Sequence, residues 1–296
     1  MRQLDIMVDL LDTFPQFHDY WRRYHSESLD NQIEGWETSY MAQWPELLSK
    51  QIEDYASERF DWKVIARENV FPTLGQRLGD MDIAHHNLLV IIHPTIEKAC
   101  EILQFDREVM AVIYVGIGLG AGWATTYNEK PAVLLGLENI AECGWIDKES
   151  LVGLVAHEIG HLVHFGLRER AGIEMGRGPW WQLFTEGVAM RCEHLVSGGE
   201  SWHMRERNGS DNWLKWCQAN RSRLAALYLE YIDTGQPVRP FFGSWYDIEG
   251  YRQTGYFLGH ELVKNLEVEN VLTDITLWSE DDPRLQSALK SMAGDS

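Results

Sequence analysis

Apolar residues recur at helical spacing through the first third of the chain. The spacing is clearest in residues 6–11, 44–52 and 91–103, where apolar side chains fall three or four positions apart. Residues at these intervals lie on one face of a helix, so each stretch predicts an amphipathic helix with one buried side. We therefore expect residues 1–105 to form an all-helical N-terminal region.

The pattern then changes from helical to strand-like. Residues 109–115 (VMAVIYV) and 131–137 (PAVLLGL) are continuous apolar runs, and each predicts a buried strand. The stretch between them, GIGLGAG at 116–122, fits neither the G-x-G-x-x-G pattern nor a P-loop with its lysine. We therefore interpret this glycine-rich stretch as a turn between strands and not as a nucleotide site.

Helical spacing returns at 150–200 and again at 210–296. Together these patterns predict an α+β, mostly helical fold with a small sheet at 106–140 packed on a helical core. Residues 106–296 are expected to form either a domain of their own or one compact unit with the N-terminal region.

Charge and cysteine usage narrow the class of protein. The chain has 26 Lys plus Arg against 45 Asp plus Glu, a formal charge of −19, which disfavours binding to nucleic acid or to anionic membranes. Acidic residues interrupt the apolar N-terminal run, and we expect no stretch to reach the roughly 18 apolar residues of a membrane span. No C-x-x-C pair occurs among the four cysteines, which are predicted to be free thiols of a cytoplasmic protein: Cys100, Cys143, Cys192 and Cys217.

The strongest chemical signal is HEIGH at residues 157–161, inside the apolar stretch LVGLVAHEIGHLVHF. His157 and His161 are four residues apart, so on a helix both can direct a ring nitrogen at one Zn²⁺. Glu158 lies at the edge of the same face, where its carboxylate can act as a general base on a water at the metal. The alternative interpretation is a pair of core histidines hydrogen-bonded to nearby carbonyls.

A catalytic zinc takes three protein ligands and leaves one position for water. His164 points too far along the helix to join the pair, and Leu167 stands where a metzincin would have its third histidine. The best candidate is Glu186, which lies 25 residues after His161 on a second predicted helix. Gly187 would let the two helices approach closely, and Glu193 is placed to hold the other ring nitrogen of a ligand histidine. Without the histidine pair, Glu186 would be interpreted as a solvated carboxylate near a helix start.

The ligand pattern resembles that of the gluzincin zinc metallopeptidases. Residues 180–189, WWQLFTEGVA, are similar to the W-W-x-x-L-W-L-N-E-G-F-A run of the M1 aminopeptidases, and residues 256–259, YFLG, resemble their Y-x-K-G. The helical first third has no counterpart of the M1 β-sandwich, and the exopeptidase motif G-x-M-E-N is echoed only by GLEN at 136–139. The resemblance implies a zincin-type catalytic domain. It also implies that Tyr256 donates a hydrogen bond to the oxyanion, with Tyr251 and His260 as alternatives about one turn away on the same helix.

These features predict a zinc-dependent peptidase that acts on a peptide or protein substrate. The substrate backbone is expected to add to an exposed strand edge near residues 133–138. Two other functions remain open: a non-catalytic, zinc-stabilised binding or regulatory protein, and a zinc hydrolase of a small non-peptide amide. The exopeptidase or endopeptidase choice, the oligomeric state, the role of the N-terminal region and any contribution of Glu138 to the site are left open as well.

Overall fold

The computed structural model of the chain describes residues 8–199, 201–204, 212–243 and 245–294. The described residues are mostly helical with one small mixed sheet, so the predicted α+β, mostly helical fold class is confirmed. The chain divides into two compact units, Met1–Val155 and Ala156–Ser296. The expected division near residue 105 stays a prediction.

The first unit is built on a four-stranded sheet in the order β1-β2-β4-β3. The β1–β2 and β2–β4 pairs are parallel, and the β3–β4 pair is antiparallel. Its strands are β1 (Val8–Asp12), β2 (Val109–Tyr114), β3 (Gly122–Tyr127) and β4 (Lys130–Gly136). Its helices are α1 (Phe14–Tyr24), α2 (Leu29–Gly35), α3 (Pro45–Ser57), α4 (Trp62–Ile65), α5 (Phe71–Leu103) and α6 (Leu137–Cys143).

The predicted all-helical N-terminal region is wrong at residues 8–12, which form strand β1. β1 pairs with β2 so that Leu10 lies opposite Ala111, and helices α1 to α5 supply the long connection that two parallel strands require. A short apolar run does not distinguish a helix from a strand, and here long-range pairing decides. Residues 6 and 7, which belong to the same helical pattern, lie outside the described residues.

The two predicted strands are present as β2 and β4, but the predicted substrate edge is wrong. β4 lies between β2 and β3, and Val133 is paired with Ala111 on one side and with Ala124 on the other. The missed strand, β3, reaches β4 through a two-residue turn at Asn128 and Glu129, both with positive φ, as in a type I′ hairpin. The backbone of residues 133–136 is therefore already hydrogen-bonded and cannot accept a further strand.

Buried aromatic side chains of the first unit satisfy backbone groups at the end of β2. The indole of Trp36 donates to the Val115 carbonyl at 2.9 Å, and the Val115 N–H donates to the Tyr40 hydroxyl at 3.0 Å. The hydroxyl of Tyr55 donates to the Ile117 carbonyl at 2.8 Å. Large side chains with one polar tip suit this position, since they fill the core and still pair with the loop backbone.

The regular elements in the described part of the second unit are helices, and one isolated β-bridge there joins Ile248 and Tyr251. Its helices are α7 (Lys148–Ala171), which begins within the first unit, α8 (Gly178–Ser197), α9 (Asn212–Ala219), α10 (Arg221–Asp233), α11 (Thr254–Leu266), α12 (Leu272–Ile275) and α13 (Pro283–Gly294). Asp147 caps α7, because its carboxylate accepts the N–H groups of Glu149 and Ser150 at 3.1 and 3.0 Å.

Helix α7 is long and largely apolar. Of the described helices, it is the one with the length and composition to cross a membrane, which corrects the expectation that no stretch would reach that size. In its most apolar stretch, 83 % of the residues are buried within the protein. Such burial is typical of a core helix.

Glycines set the distances between the helices of the second unit. A Cβ at Gly160 would lie 2.7 Å from the Cβ of Cys192, so the α7–α8 contact depends on the glycine inside the HEIGH motif. Gly187 was expected to serve this contact, but it instead meets the backbone of Gly259 on α11. Helix α8 is thus held closely on one side by α7 and on another by α11.

We predict that Gly259→Ala destabilises the protein by about 1–3 kcal/mol, because the added methyl group would lie 2.6 Å from the Leu183 carbonyl oxygen. Urea unfolding measures the change. The control is Gly79→Ala in α5, where no described atom outside the helix backbone lies within 4 Å of the new methyl group, so stability should be unchanged or slightly raised. Equal midpoints for Gly259→Ala and the wild type would contradict the close contact.

Candidate metal centre

The predicted ligand atoms form a compact triangle in the second unit. Nε2 of His157 lies 3.1 Å from Nε2 of His161 and 3.1 Å from Oε2 of Glu186. The third side, from Nε2 of His161 to the same oxygen of Glu186, is 3.3 Å. His157 and His161 come from successive turns of α7, and Glu186 comes from α8.

These distances fit a shared metal ion. Zn²⁺ with four ligands at about 2.0–2.1 Å holds neighbouring ligand atoms about 3.3–3.4 Å apart, close to the sides of this triangle. Two ring nitrogens that face each other can share one proton at most, so a metal satisfies all three atoms better than hydrogen bonds do. The donor set, two imidazoles and one carboxylate, is that of a catalytic zinc site.

Electrostatics tie the three side chains to one another. Burial, and to a smaller extent the charge of His161, lowers the pKa of His157 to about 4, although Glu186 offsets part of the shift. For His161, burial also acts to lower the pKa, but the charges of Glu186 and Glu158 outweigh it and the pKa is raised. Burial acts to raise the pKa of Glu186, yet the histidines hold it well below its usual range. The carboxylate therefore stays ionised and attracts a cation.

The two predicted catalytic side chains lie beside the triangle. Glu158 is buried next to His157 on α7. The ring of Tyr256, in the first turns of α11, is 5.7 Å from the ring of His157 between centroids. Of the alternatives, Tyr251 precedes α11, contrary to expectation, and stacks on Trp216 at 4.2 Å.

His260 is on α11 but takes part in a different set of contacts. Its Nε2 lies 3.1 Å from a guanidinium nitrogen of Arg191, which can only donate, so Nε2 is the acceptor. Its Nδ1 then donates to Glu261 at 3.1 Å. Of the three residues proposed for the oxyanion, Tyr256 is therefore the one whose ring lies against a predicted metal ligand.

Sequence reasoning missed His203. Glu193 accepts both the backbone N–H of His203 at 2.9 Å and its Nδ1–H at 2.7 Å, and the His203 ring lies 5.1 Å from the ring of His157. The same carboxylate lies 3.9 Å from Nδ1 of His157, which is too far for a hydrogen bond, so Glu193 is near this histidine but, contrary to expectation, does not hold its ring nitrogen. No spacing pattern marks His203, because it reaches the site through the loop after α8.

A second possible metal-binding group and two other side chains, His164 and Glu138, complete the description. His157, Glu193 and His203 form the second group in the described ranges that could hold a metal, but the carboxylate already pairs with His203. His164 lies outside the triangle and donates from Nε2 to the Thr276 carbonyl at 3.1 Å. Glu138 belongs to the first unit, where it is fully buried.

Glu138 anchors the glycine-rich turn. Its two carboxylate oxygens accept the N–H groups of Gly116 at 2.7 Å and Gly118 at 3.1 Å. A Cβ at Gly116 would lie 2.8 Å from Oε1 of Glu138, so the turn requires glycine there. Burial raises the pKa of Glu138 to about 7, although these two hydrogen bonds and Arg77 act to lower it.

This pKa predicts a pH dependence of stability. Between pH 4.5 and 7 the folded chain retains a proton on Glu138 that the unfolded chain has lost, so stability falls as pH rises through this window, by about 3 kcal/mol in total. Glu138→Gln removes this term. The free energy of unfolding of Glu138→Gln minus that of the wild type should therefore rise between pH 5 and pH 8. A constant difference in urea titrations would contradict the shifted pKa.

Comparisons of the chain with protein-family models, with curated proteins and with solved structures found no match. A function is therefore argued from the triangle and from the side chains that surround it. The observations that bear on it are the short distances between three donors, a buried carboxylate next to the first ligand and a tyrosine ring against that ligand.

Proposed function

We propose that the chain is a zinc-dependent peptidase of the gluzincin type. The observation that carries the proposal is the triangle of His157, His161 and Glu186, with sides of 3.1, 3.1 and 3.3 Å. The HEIGH motif and the Glu186-Gly187 pair that supply these atoms are those in which the chain resembles that clan. Peptide or protein chains are the proposed substrates.

His157, His161 and Glu186 would hold the zinc ion. When bound, Zn²⁺ supplies a Lewis acid and lowers the pKa of a water to about 7. Two neutral imidazoles and one carboxylate cancel only one of its two positive charges, so the site keeps a net positive charge for that purpose. In the described part of the chain, the group holds three donor residues, as in catalytic sites, whereas structural sites are usually closed by four. This ligand count favours catalysis over a non-catalytic, zinc-stabilised protein.

Glu158 is the proposed general base. Its carboxylate takes a proton from the attacking water and passes it to the leaving amine, so that no free amide ion has to form. Glu158 is 6 % exposed, and a carboxylate in so dry a position has a stronger interaction with nearby charges than it would have in water. A purely structural metal site has no need of this side chain.

Tyr256 is the proposed hydrogen-bond donor to the oxyanion. Carbonyl attack moves negative charge onto the substrate oxygen, and a phenol whose ring is held against the site, 5.7 Å from the His157 ring, can donate to this oxygen. The tyrosine belongs to α11, which packs on α8 through Gly187 and Gly259, so its distance from Glu186 is set by a rigid contact.

The metal and base assignments predict opposite results for two kinds of substitution. His157→Ala and Glu186→Ala should lose zinc, whereas Glu158→Gln should retain zinc and lose most activity, because it removes the base and leaves the ligands. Elemental analysis of dialysed protein gives the zinc content, and peptide hydrolysis gives the activity. Full zinc content in both ligand variants would overturn the ligand set.

Tyr256→Phe should lower kcat by roughly 10²-fold and leave zinc content unchanged, because it removes one donor to the transition state. Tyr251→Phe is the matched control, since that ring stacks on Trp216 and should not affect kcat. Equal rates for Tyr256→Phe and the wild type would remove Tyr256 from the mechanism.

Hydrolysis of a mixed peptide pool, with and without a chelator, tests the activity itself. Products shortened from the N-terminus would identify an exopeptidase, and internal cuts would identify an endopeptidase. Zinc binding without any cleavage would contradict the proposed function and favour a binding protein or a hydrolase of small amides.

A further inference from the structure

A chain of buried polar groups leads away from the metal ligand His161. Nδ1 of His161 lies 3.4 Å from the hydroxyl of Thr185, and that hydroxyl lies 3.3 Å from Nδ1 of His164. Nε2 of His164 lies 3.1 Å from the Thr276 carbonyl oxygen. All four residues are buried, so these partners are not exchanged with solvent.

Arg168 holds the far end of this series of hydrogen bonds, the Thr276 carbonyl, in place. Its guanidinium donates to the Thr276 and Trp278 carbonyls at 3.1 and 2.6 Å. It also donates to the Glu174 carbonyl and lies 4.8 Å above the ring of Trp181. The Thr276 carbonyl is thereby fixed in position as the acceptor at the end of the chain.

The Thr276 carbonyl sets the direction of every hydrogen bond before it. A carbonyl can only accept, so His164 carries its proton on Nε2. Arg168 donates to the same oxygen, and a second positive charge there would be repelled, so His164 is neutral and its Nδ1 is an acceptor. The single hydroxyl proton of Thr185 then goes to His164, and the Thr185 oxygen is left to accept from Nδ1 of His161.

This direction gives His161 the tautomer that a metal ligand requires. With its proton on Nδ1, the ring presents a bare Nε2 to His157 and Glu186. The other ligand has no such support: Nδ1 of His157 has no hydrogen-bond partner among the described residues, and Glu193 is 3.9 Å away. Of the two histidines, His161 is therefore the one whose tautomer is fixed by hydrogen bonds.

We propose that Thr185 and His164 are positioning residues that hold His161 with Nδ1 protonated and Nε2 free, and so strengthen metal binding. The inference rests on the proposed metal site. His164 acts here not as a ligand but as the acceptor that orients the Thr185 hydroxyl. Metal binding then depends on the hydroxyl group of residue 185 and not on the volume of its side chain.

Three variants of the full chain separate these roles. Thr185→Val keeps the shape and removes the hydroxyl, and Thr185→Ser keeps the hydroxyl. Thr276→Val is the matched control, because it removes a buried hydroxyl that bonds to the Thr273 carbonyl and leaves the Thr276 carbonyl in place. His164→Phe removes the acceptor and leaves Thr185 unchanged.

Two measurements are made on each variant. Zinc affinity is measured by competition with a chromophoric chelator. Ring protonation is read from long-range ¹H–¹⁵N spectra of histidine in metal-free protein, at a pH above the raised pKa of His161 so that the ring is neutral, with His161 assigned by the signals lost in His161→Gln. We expect Thr185→Val and His164→Phe to bind zinc about 10–100-fold more weakly and to lose the single Nδ1–H tautomer of His161. Thr185→Ser and Thr276→Val should match the wild type in both.

Wild-type affinity and tautomer in Thr185→Val would overturn the proposal, as would an equal loss of affinity in Thr276→Val. Wild-type zinc affinity and a wild-type tautomer in His164→Phe would overturn the role of His164. A wild-type chain that binds zinc without cleaving peptides would contradict the peptidase function alone, because affinity and tautomer are measured without substrate. A wild-type chain that binds no zinc would contradict both.

Discussion

The candidate site depends on the close approach of α7 and α8. His157 and His161 are on α7, Glu186 is on α8, and their three donor atoms lie within 3.3 Å of one another. Side chains of this length meet so closely only if the helix backbones are near each other. Gly160, between the two histidines, provides that space, because a methyl group there would overlap Cys192. Within the HEIGH motif, Gly160 is thus required by helix packing, whereas His157 and His161 are required as donor atoms.

Helix α8 also makes close contacts with other parts of the second unit. Its Gly187 faces Gly259 of α11, so the residue after the carboxylate ligand fixes the helix that carries Tyr256. Glu193, two turns further along α8, takes both N–H groups of His203 and stands behind His157. One helix therefore supplies a candidate metal ligand, the carboxylate that holds His203 and the glycine that contacts α11, and a shift of α8 would disturb all three together.

The meeting of His157, His161 and Glu186 could be predicted from sequence because it follows from local periodicity. His157 and His161 need only the helical repeat, and Glu186 needs only a second helix that returns to the first. What sequence reasoning missed depends on long-range pairing. β1 has the spacing of a helix and becomes a strand because β2 is there to pair with it. Gly187 was assigned to the wrong neighbour because no local pattern tells which helix faces a glycine. His203 reaches the site through a loop, and the Thr185–His164 contact forms only when α7 and α8 are packed together.

Buried polar groups in each unit show how burial and hydrogen bonding together determine whether a side chain is charged and where its protons lie. Glu138 accepts two backbone N–H groups in a dry position, and burial still raises its pKa to about 7 because two hydrogen bonds do not replace the lost water. At the metal site the balance differs. Glu186 stays ionised since two imidazoles surround its oxygen, and the carbonyl of Thr276 leaves the Thr185 hydroxyl one direction in which to donate. The fold thus keeps Glu186 ionised and sets the hydrogen bonds behind His161 before any metal binds, so binding requires no reorganisation of those hydrogen bonds.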